Sequence, residues 1–502
     1  MVYDDKDVRS VLASDGRLVE SWWPAGTAAL VGPSSLNVLP QPRQAQVKAP
    51  FLRALGERAI AARARAVARA MDAVLAAWAD AQAAAAPGAG GGGPGPAAAA
   101  VLGGVAASKQ ALPLCDLLAS ATFNAALFGA AASDDASEAS AAAAPPSAAA
   151  AAAPQLPAPE AAAFLSECLE RGRLAADLAG GFLPPMIDLP FTAYSRALRA
   201  RRALLSKYAS ELAAARARRS GGGGGGGAGA GGAADALVRA AEGAGVSDGE
   251  LLDGLVACLF GNVGAGPTFV KLFQHLEPTG SDGGGGGGGW WAALRDEQRR
   301  VVAARGAALG AAALEGMPVT EAVAREALRI TPVVPAIFRL ATQDFELRGR
   351  RIPKGWRVWC HTGSGVLKYN ADEFDPSRWL RGDAAAADSP APDGGGGGGG
   401  CPMAAAAAAA AGDEGAGSPF GQGARACVGR PLMLLQLKLL LALLARRYTW
   451  RFEGGSAGPA EPWVVVPAPR PEMGLAGFVL ERAAEADAIP IDLSGGDEDV
   501  GL

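Results

Sequence analysis

Long stretches of this chain alternate apolar and polar residues with the period of an α-helix. The clearest lie at 56–81, 196–219, 248–266 and 319–330. Apolar residues at every third or fourth position predict amphipathic helices with one buried face. The segment 432–445 is almost continuously apolar but contains Gln436 and Lys438. It is also too short to span a bilayer, so it predicts a buried core helix.

Two regions change to the shorter period of β-strands. Residues 336–361 and 463–482 alternate apolar and polar positions and are interrupted by charged, glycine and proline turns. Such short alternating runs predict strands joined by tight turns. We therefore expect a mainly α-helical protein with small β-sheets, and not a doubly wound α/β protein.

Five tracts rich in alanine, glycine and proline interrupt these elements. They lie at 83–100, 141–160, 221–234, 283–289 and 384–417. Such composition offers too few large apolar side chains to pack, so we interpret the tracts as insertions in surface loops. We expect one domain over 1–484, followed by an acidic, disordered tail at 485–502.

The composition of the chain argues against several classes of function. The 502 residues carry a net charge of −4 without a basic, aromatic-rich cluster, which argues against a nucleic-acid partner. Six scattered cysteines without a C-x-x-C pair indicate a reducing compartment. Only two histidines are present, His275 and His361, so a three-histidine zinc site is impossible. We recognise no signal peptide or membrane span.

The segment PFGQGARACVGR places Cys427 among glycines, directly before the apolar run. Cys427 is either a small buried residue at a helix start or a metal ligand. A haem–thiolate bond needs an ionised sulfur, and the amides at a helix N-terminus favour one. Gly423 and Gly429 would let a flat macrocycle approach the backbone, Arg425 would pair with a propionate, and Phe420 would cover the sulfur.

These residues have the spacing F-x-x-G-x-R-x-C-x-G, which resembles the cytochrome P-450 family of haem-thiolate monooxygenases. Two further motifs follow the family's order, EALR and then FDPSRW, before the cysteine. The resemblance implies a buried ion network of Glu326, Arg329 and Arg378. It also implies that Arg339 is a second propionate partner. The family ends the middle motif with Phe, whereas this chain has Trp379.

The segment from Met317 to Trp356 is especially similar to the clan that oxidises sterols, brassinosteroids, abscisic acid and retinoic acid. The resemblance implies the cytochrome P-450 fold and haem b with Cys427 as axial ligand. Electrons would come from NADPH through a separate reductase, or from a ferredoxin. The substrate would be small and lipophilic: an isoprenoid, a sterol or a carotenoid-derived compound.

The first residues resemble the region that follows the first helix and first strand of a family member. We therefore expect that the N-terminal elements and the membrane anchor are missing from this sequence. Such an anchor would place the protein at the cytoplasmic face of the endoplasmic reticulum. Where the family has a propionate-binding residue and a basic partner, this chain has Gln44 and Lys48. We assign the role of a propionate partner to Lys48.

The central helix departs from the family's pattern. The family has an acid followed by threonine, which relay protons to iron-bound oxygen, whereas this chain reads LFGNVGAGPTF over 259–269. In one register Gly264 and Ala265 take these positions, and with one deletion Thr268 is the alcohol. We name Thr268 and Ala265 as candidate catalytic residues, and Gly261 and Ile337 as further pocket-wall candidates. Pro267 predicts a kink in this helix.

Three interpretations of this departure stay open. Water, Thr268 or a substrate hydroxyl replaces the acid in a monooxygenase. Alternatively, the protein rearranges lipid hydroperoxides, which Asn262 and Gly266 loosely favour and the intact cysteine motif opposes. In the third interpretation it binds haem with little catalytic activity.

Overall fold

The protein is described by a computed structural model. The structure describes residues 1–85, 101–102, 104–128, 158–182, 186–220, 233–278, 288–331, 333–362, 373–380, 419–453, 463–464, 470–472 and 474–494. Cys401, all of the tract at 384–417 and most of the other four tracts lie outside these residues.

The helices dominate the fold, as the sequence predicts. They are α1 Asp5–Ala13, α2 Ala25–Val31, α3 Arg43–Leu55, α4 Glu57–Ala62, α5 Ala64–Ala84, α6 Ala111–Phe128, α7 Ala158–Gly180, α8 Ala193–Ser220, α9 Ala233–Gly243, α10 Asp248–Val263, α11 Ala265–His275, α12 Gly288–Arg305, α13 Ala311–Leu314, α14 Pro318–Ile330, α15 Ser377–Leu380 and α16 Arg430–Arg447. A short 3₁₀ helix at Gly423–Arg425 precedes α16.

The strands are short and antiparallel. They are β1 Val19–Ser21, β2 Ala336–Ala341, β3 Phe345–Leu347, β4 Arg350–Ile352, β5 Arg357–His361, β6 Tyr448–Phe452, β7 Trp463–Val464, β8 Arg470–Pro471 and β9 Phe478–Arg482. The largest sheet has the order β1–β2–β5, with Ser21 opposite Arg339 and Ile337 opposite Cys360. This sheet brings the start of the chain beside the middle of the chain.

The central helix is split into α10 and α11 at Gly264. Its start is fixed by a capping box, in which Ser247 and Glu250 satisfy each other's backbone amides. The sequence predicts a kink at Pro267, and the break occurs three residues earlier. Proline has no N–H to give to the carbonyl four residues before it, which belongs to Val263, the last residue of α10.

Helix α16 lies in the middle of the protein. Leu437 and Leu439 to Leu444 are fully buried, which confirms the predicted core helix. It packs against α5, α6, α12 and α14. Gln436, also fully buried, donates to Thr122 Oγ1 of α6 at 2.6 Å and to Asn262 Oδ1 of α10 at 3.1 Å. These bonds tie the helix that follows Cys427 to the central helix.

Glu326 of α14 is the hub of a buried network. Arg329 donates to both carboxylate oxygens, at 2.9 and 2.8 Å, and Arg378 donates to Oε1 at 3.2 Å. The Asp375 amide bonds Oε1 and the Trp379 indole bonds Oε2, each at 2.9 Å. The buried carboxylate is therefore fully compensated, which is what a charge away from water requires.

The chain end differs from the expected disordered tail. Ile489, Ile491 and Leu493 are buried, and the Asp492 amide bonds the Ala307 carbonyl at 2.9 Å. The acidic composition suggested solvation, but alternate apolar residues pack against the helical body up to 494. The prediction of disorder from 485 is wrong for these residues.

Two described helical stretches, Ala111–Phe128 and Asp248–His275, are long and apolar enough to cross a membrane. Most of the apolar 18-residue window in each stretch is buried inside the protein, 78% and 67% respectively. Core helices pass the same test of length and composition, so this is weak evidence for a membrane span.

Trp379→Phe should destabilise the protein, because Glu326 would lose one hydrogen bond inside the protein. A hydrogen bond to a buried charge contributes about 1–3 kcal/mol, so we expect a loss of that size in the free energy of unfolding, measured by chemical denaturation. Trp356→Phe is the matched control, since Trp356 is 59% exposed. Equal stability of the two variants would contradict this role of Trp379.

Asp116→Asn should change how stability depends on pH. Asp116 of α6 lies against Gly266, where a Cβ atom would collide with the carboxylate, and burial raises the pKa of Asp116 from 3.8 to about 7. Between these values the folded protein holds a proton that the unfolded chain releases, so the wild type loses stability as pH rises through this window. The variant should gain on the order of 4 kcal/mol relative to the wild type between pH 4 and pH 8, measured by urea unfolding.

The control for this pH profile is Asp296→Asn, because Asp296 is an exposed carboxylate on α12. A difference between Asp116→Asn and the wild type that is constant across pH would show that Asp116 titrates normally.

Candidate haem-thiolate site

The loop before α16 reverses direction to present Cys427. Gly421 and Gly423 have φ angles of +65° and +71°, which favour glycine. The Cys427 amide donates to the Phe420 carbonyl at 2.9 Å and closes the loop. A Cβ at Gly423 would lie 2.9 Å from the Leu12 carbonyl oxygen of α1. Gly423 is therefore required by the backbone turn and by the close approach of α1, which the motif alone did not show.

Cys427 is not a core residue. Its side chain is exposed to solvent, although protein surrounds it closely enough that burial raises the pKa of its thiol. This combination describes a sulfur that lines a recess. The backbone amides of Gly429 and Arg430 and the Lys48 ammonium act in the opposite direction and lower the pKa. The expected helix-terminus effect is present, but burial outweighs it in the protein without a metal.

Lys48 of α3 lies on the cysteine loop. Its ammonium donates to the Ala424 and Ala426 carbonyls at 2.8 and 2.6 Å, and burial lowers its pKa to about 8. The resemblance implied that Lys48 is a propionate partner. In the structure, Lys48 holds the loop that bears Cys427. Gln44, one turn earlier, accepts from the Gln41 amide group at 2.8 Å.

Arg425 and Arg339 converge on the same carboxylate, that of Asp15 between α1 and β1. Arg425 Nε donates to Asp15 Oδ2 at 2.8 Å, and Arg339 Nε lies 3.5 Å from Oδ1. All three side chains are at most 7% exposed. The structure thus brings together the two arginines that the motifs single out. The acid between them carries no motif, and only its position in the fold reveals it.

The central helix presents small residues beside open space. A Cβ at Gly261 would meet no atom within 4 Å, whereas one at Gly264 would collide with Val333. Ala265 and Thr268 are buried, and Thr268 Oγ1 has no hydrogen-bond partner among the described residues. On a helix, positions 261, 264, 265 and 268 share one side. Ile337 of β2 lies at the cysteine loop, 3.1 Å from a Cβ built on Gly421.

Asn262 faces neighbouring helices and not the open space beside Gly261. Its side-chain amide donates to the Ala119 carbonyl of α6 at 2.6 Å, and its oxygen accepts from Gln436. Asn262 therefore joins three helices, and its side chain is not offered to a ligand beside Gly261.

These residues fit a haem held by one thiolate. Cys427 offers a reachable sulfur with two amides directed at it, and a coordinated metal would displace the thiol proton. Phe420 is partly buried beside it and packs on the core. Among the described residues no cluster of three or more His, Cys, Asp or Glu side chains could hold a metal ion by itself. A metal held by one protein sulfur needs further ligands, and a macrocycle such as haem supplies them.

The sequence and the fold were each compared with known proteins. Residues 291–475 match the family model "Cytochrome P450". The chain is 33% identical over 146 residues to cytochrome P450 26A1 of Gallus gallus and 29% identical over 147 residues to abscisic acid 8'-hydroxylase 1 of Arabidopsis thaliana. Each alignment covers 28% of this chain and 25% of the relative. The chain thus matches about a quarter of the length of these curated relatives.

Solved structures show the same fold over almost all of the chain. A retinoic acid-bound cyanobacterial cytochrome, CYP120A1, superposes with a TM-score of 0.59 and 19% identity, over 95% of this chain and 87% of that one. A zebrafish cytochrome P450 with abiraterone gives 0.61 and 16%, over 96% and 93%. The cysteine motif, the Glu326 network, the match of residues 291–475 to the family model and the fold agree, and each makes this chain similar to the cytochrome P450 family.

Proposed function

We propose that this protein is a haem-thiolate monooxygenase that inserts one oxygen atom of O₂ into a C–H bond of a lipophilic substrate. The observation that carries the proposal is Cys427, which is reachable from solvent and receives the Gly429 and Arg430 amides at its sulfur. A haem bound through a thiolate supplies electron donation that favours O–O cleavage.

The chain's own residues would hold the cofactor and exclude competing chemistry. Cys427 provides the axial sulfur, Lys48 holds its loop, and Phe420 shields the sulfur from water. Arg425 and Arg339 place positive charge at one edge of the site, where propionate carboxylates need it. Glu326 and its partners stabilise the fold and do not touch substrate.

Proton delivery would depend on Thr268. Gly264 takes the place of the usual acid and carries no proton, and Ala265 cannot donate one. Thr268 lies one turn further along the same side of the helix, with a buried hydroxyl that has no partner among the described residues. A hydroxyl without a partner inside a protein is costly unless water or a ligand satisfies it. Thr268 and a bound water would therefore replace the acid.

The substrate would be an isoprenoid, a sterol or a carotenoid-derived compound. The names of two similar proteins, an abscisic acid hydroxylase and a retinoic acid-bound cytochrome, point to lipids of this kind. The sequence carries no flavin or nicotinamide motif, so electrons would come from a separate NADPH-dependent reductase or a ferredoxin. Activity would be located at the cytoplasmic face of the endoplasmic reticulum membrane if a membrane anchor precedes this sequence.

The alternative, rearrangement of a lipid hydroperoxide, draws less support. It relied on Asn262 and Gly266. The Asn262 side chain bonds Ala119 and Gln436, and Gly266 lies against Asp116 of α6.

Cys427→Ala should abolish the red-shifted Soret band that a thiolate-ligated haem gives when reduced under carbon monoxide, because the variant has no axial sulfur. The measurement is a difference spectrum of purified protein reconstituted with haem. Cys168→Ala, which removes a buried thiol from α7, should keep the band. A wild-type protein that binds no haem would refute the proposed function.

Thr268→Val should lower the yield of oxygenated product per NADPH consumed about 10-fold or more, since a positioned proton donor contributes at least that much. Valine keeps the shape and removes the hydroxyl. Product and hydrogen peroxide are measured with an added reductase and a panel of isoprenoid substrates. Thr122→Val is the control, because the Thr122 hydroxyl bonds Gln436 away from this side.

Two outcomes would redirect the assignment. If NADPH and a reductase give no product while a fatty-acid hydroperoxide is consumed, rearrangement is the reaction. If haem binds and neither reaction occurs, the protein is a haem-binding protein with little catalytic activity.

A further inference from the structure

Asp15 occupies an unusual position for a carboxylate. It lies in the turn between α1 and β1, its side chain is 2% exposed, and it contacts both arginines of the candidate site. Gln41 also donates to its Oδ2 atom, at 3.2 Å. In the described part of the chain, Asp15 is the one acid that forms an ion pair with either Arg339 or Arg425.

The two arginines are held in different ways. Each nitrogen of Arg425 has a protein acceptor: Nε bonds Asp15, Nη1 bonds the Leu36 carbonyl at 3.2 Å, and Nη2 bonds the Leu39 carbonyl at 2.7 Å. A planar guanidinium with all three nitrogens engaged is fixed in place. Arg425 therefore fastens the cysteine loop to the segment around 15–39.

Arg339 is held more loosely. Its Nη1 atom bonds the carbonyl of its neighbour Phe338 at 2.9 Å. Its Nε atom lies 3.5 Å from Asp15 Oδ1, and neither atom makes a hydrogen bond within the described residues. An acceptor that arrives at this edge of the site can take the Arg339 donor without breaking a hydrogen bond.

The charges around the cysteine loop also indicate different roles for Arg425 and Arg339. Arg339, Arg425 and Lys48 place three cations around the cysteine loop, and Asp15 offsets one of them. Burial holds the pKa of Arg339 below its usual value, Asp15 acts against this shift, and repulsion by Arg425 adds to it. Asp15 accepts a hydrogen bond from Arg425 at 2.8 Å but lies 3.5 Å from Arg339 Nε, so its negative charge offsets Arg425 more closely than Arg339.

We propose that Asp15 is a positioning residue of the haem site, which commits Arg425 to the cysteine loop and leaves Arg339 as the arginine that meets a haem propionate. The part that concerns Arg339 rests on the proposed function. The part that concerns the loop does not, because its contacts lie within the polypeptide.

The first test needs no haem. Asp15→Asn should accelerate hydrogen exchange of the Ala426 and Cys427 amides at least 10-fold, because the loop loses its charged anchor, and Asp15→Glu should restore most of the protection. Asp7→Asn is the matched control, since Asp7 lies on the neighbouring α1 and pairs with the exposed Arg348. Arg425→Gln should expose the same two amides.

The second test uses the haem-loaded protein. Arg339→Gln should raise the rate of haem transfer to apomyoglobin about 10-fold and leave loop exchange unchanged. Asp15→Asn should shift the iron reduction potential to a more positive value, because a buried negative charge is removed, and the thiolate-type carbon monoxide band should remain.

Loop exchange in Asp15→Asn equal to that in Asp7→Asn would overturn the role of Asp15. Haem loss from Arg425→Gln as fast as from Arg339→Gln, with the loop still protected, would overturn the division between the arginines. Failure of the wild type to bind haem would refute the proposed function alone, and the exchange result would still decide whether Asp15 holds the loop.

Discussion

The attachment of the cysteine loop to the first fifty residues is the constraint on which the candidate site depends. The loop has little structure of its own beyond one 3₁₀ turn, and two glycines with positive φ reverse its direction. Lys48 and the Leu12 carbonyl contact its backbone, while Asp15 holds Arg425 from a distance of 410 residues in sequence. Such contacts, distant in sequence, place a sulfur at a helix start and keep it out of the core.

A second link joins the two sides of the site. Gln436 lies on the helix that follows the cysteine and bonds Asn262 of the central helix, which in turn bonds α6. A shift of the central helix would break these bonds, and their polar groups would then be left without partners in the core. The break at Gly264 occurs just after this anchor, so these bonds fix the half of the central helix that precedes the break.

Residue patterns in the sequence predicted parts of the candidate site. The spacing around Cys427, the EALR pair and Arg378 indicated a haem ligand and an ion network, and the structure brings Glu326, Arg329 and Arg378 together. Trp379 looked like a mild change from phenylalanine, whereas its indole donates to Glu326. Asn262 loosely favoured the hydroperoxide interpretation, and its side chain is a bridge between helices. Whether a polar side chain faces a cavity or a neighbouring helix depends on how the helix is rotated about its own axis. Packing sets that rotation, and a shift of one residue changes it by about 100°.

The sequence by itself determined the class of fold and five of the helical segments, and it singled out the Cys427 sulfur. Periodicity follows from which face of an element is buried, and the motif spacing is set locally by the turn before α16. Only the tertiary structure decided the roles of the charged groups. Asp15 carries no motif, and the carbonyls that accept hydrogen bonds from Lys48 and Arg425 became visible only in the folded protein. The strength of a buried charge depends on what surrounds it, and those surroundings come from segments hundreds of residues apart.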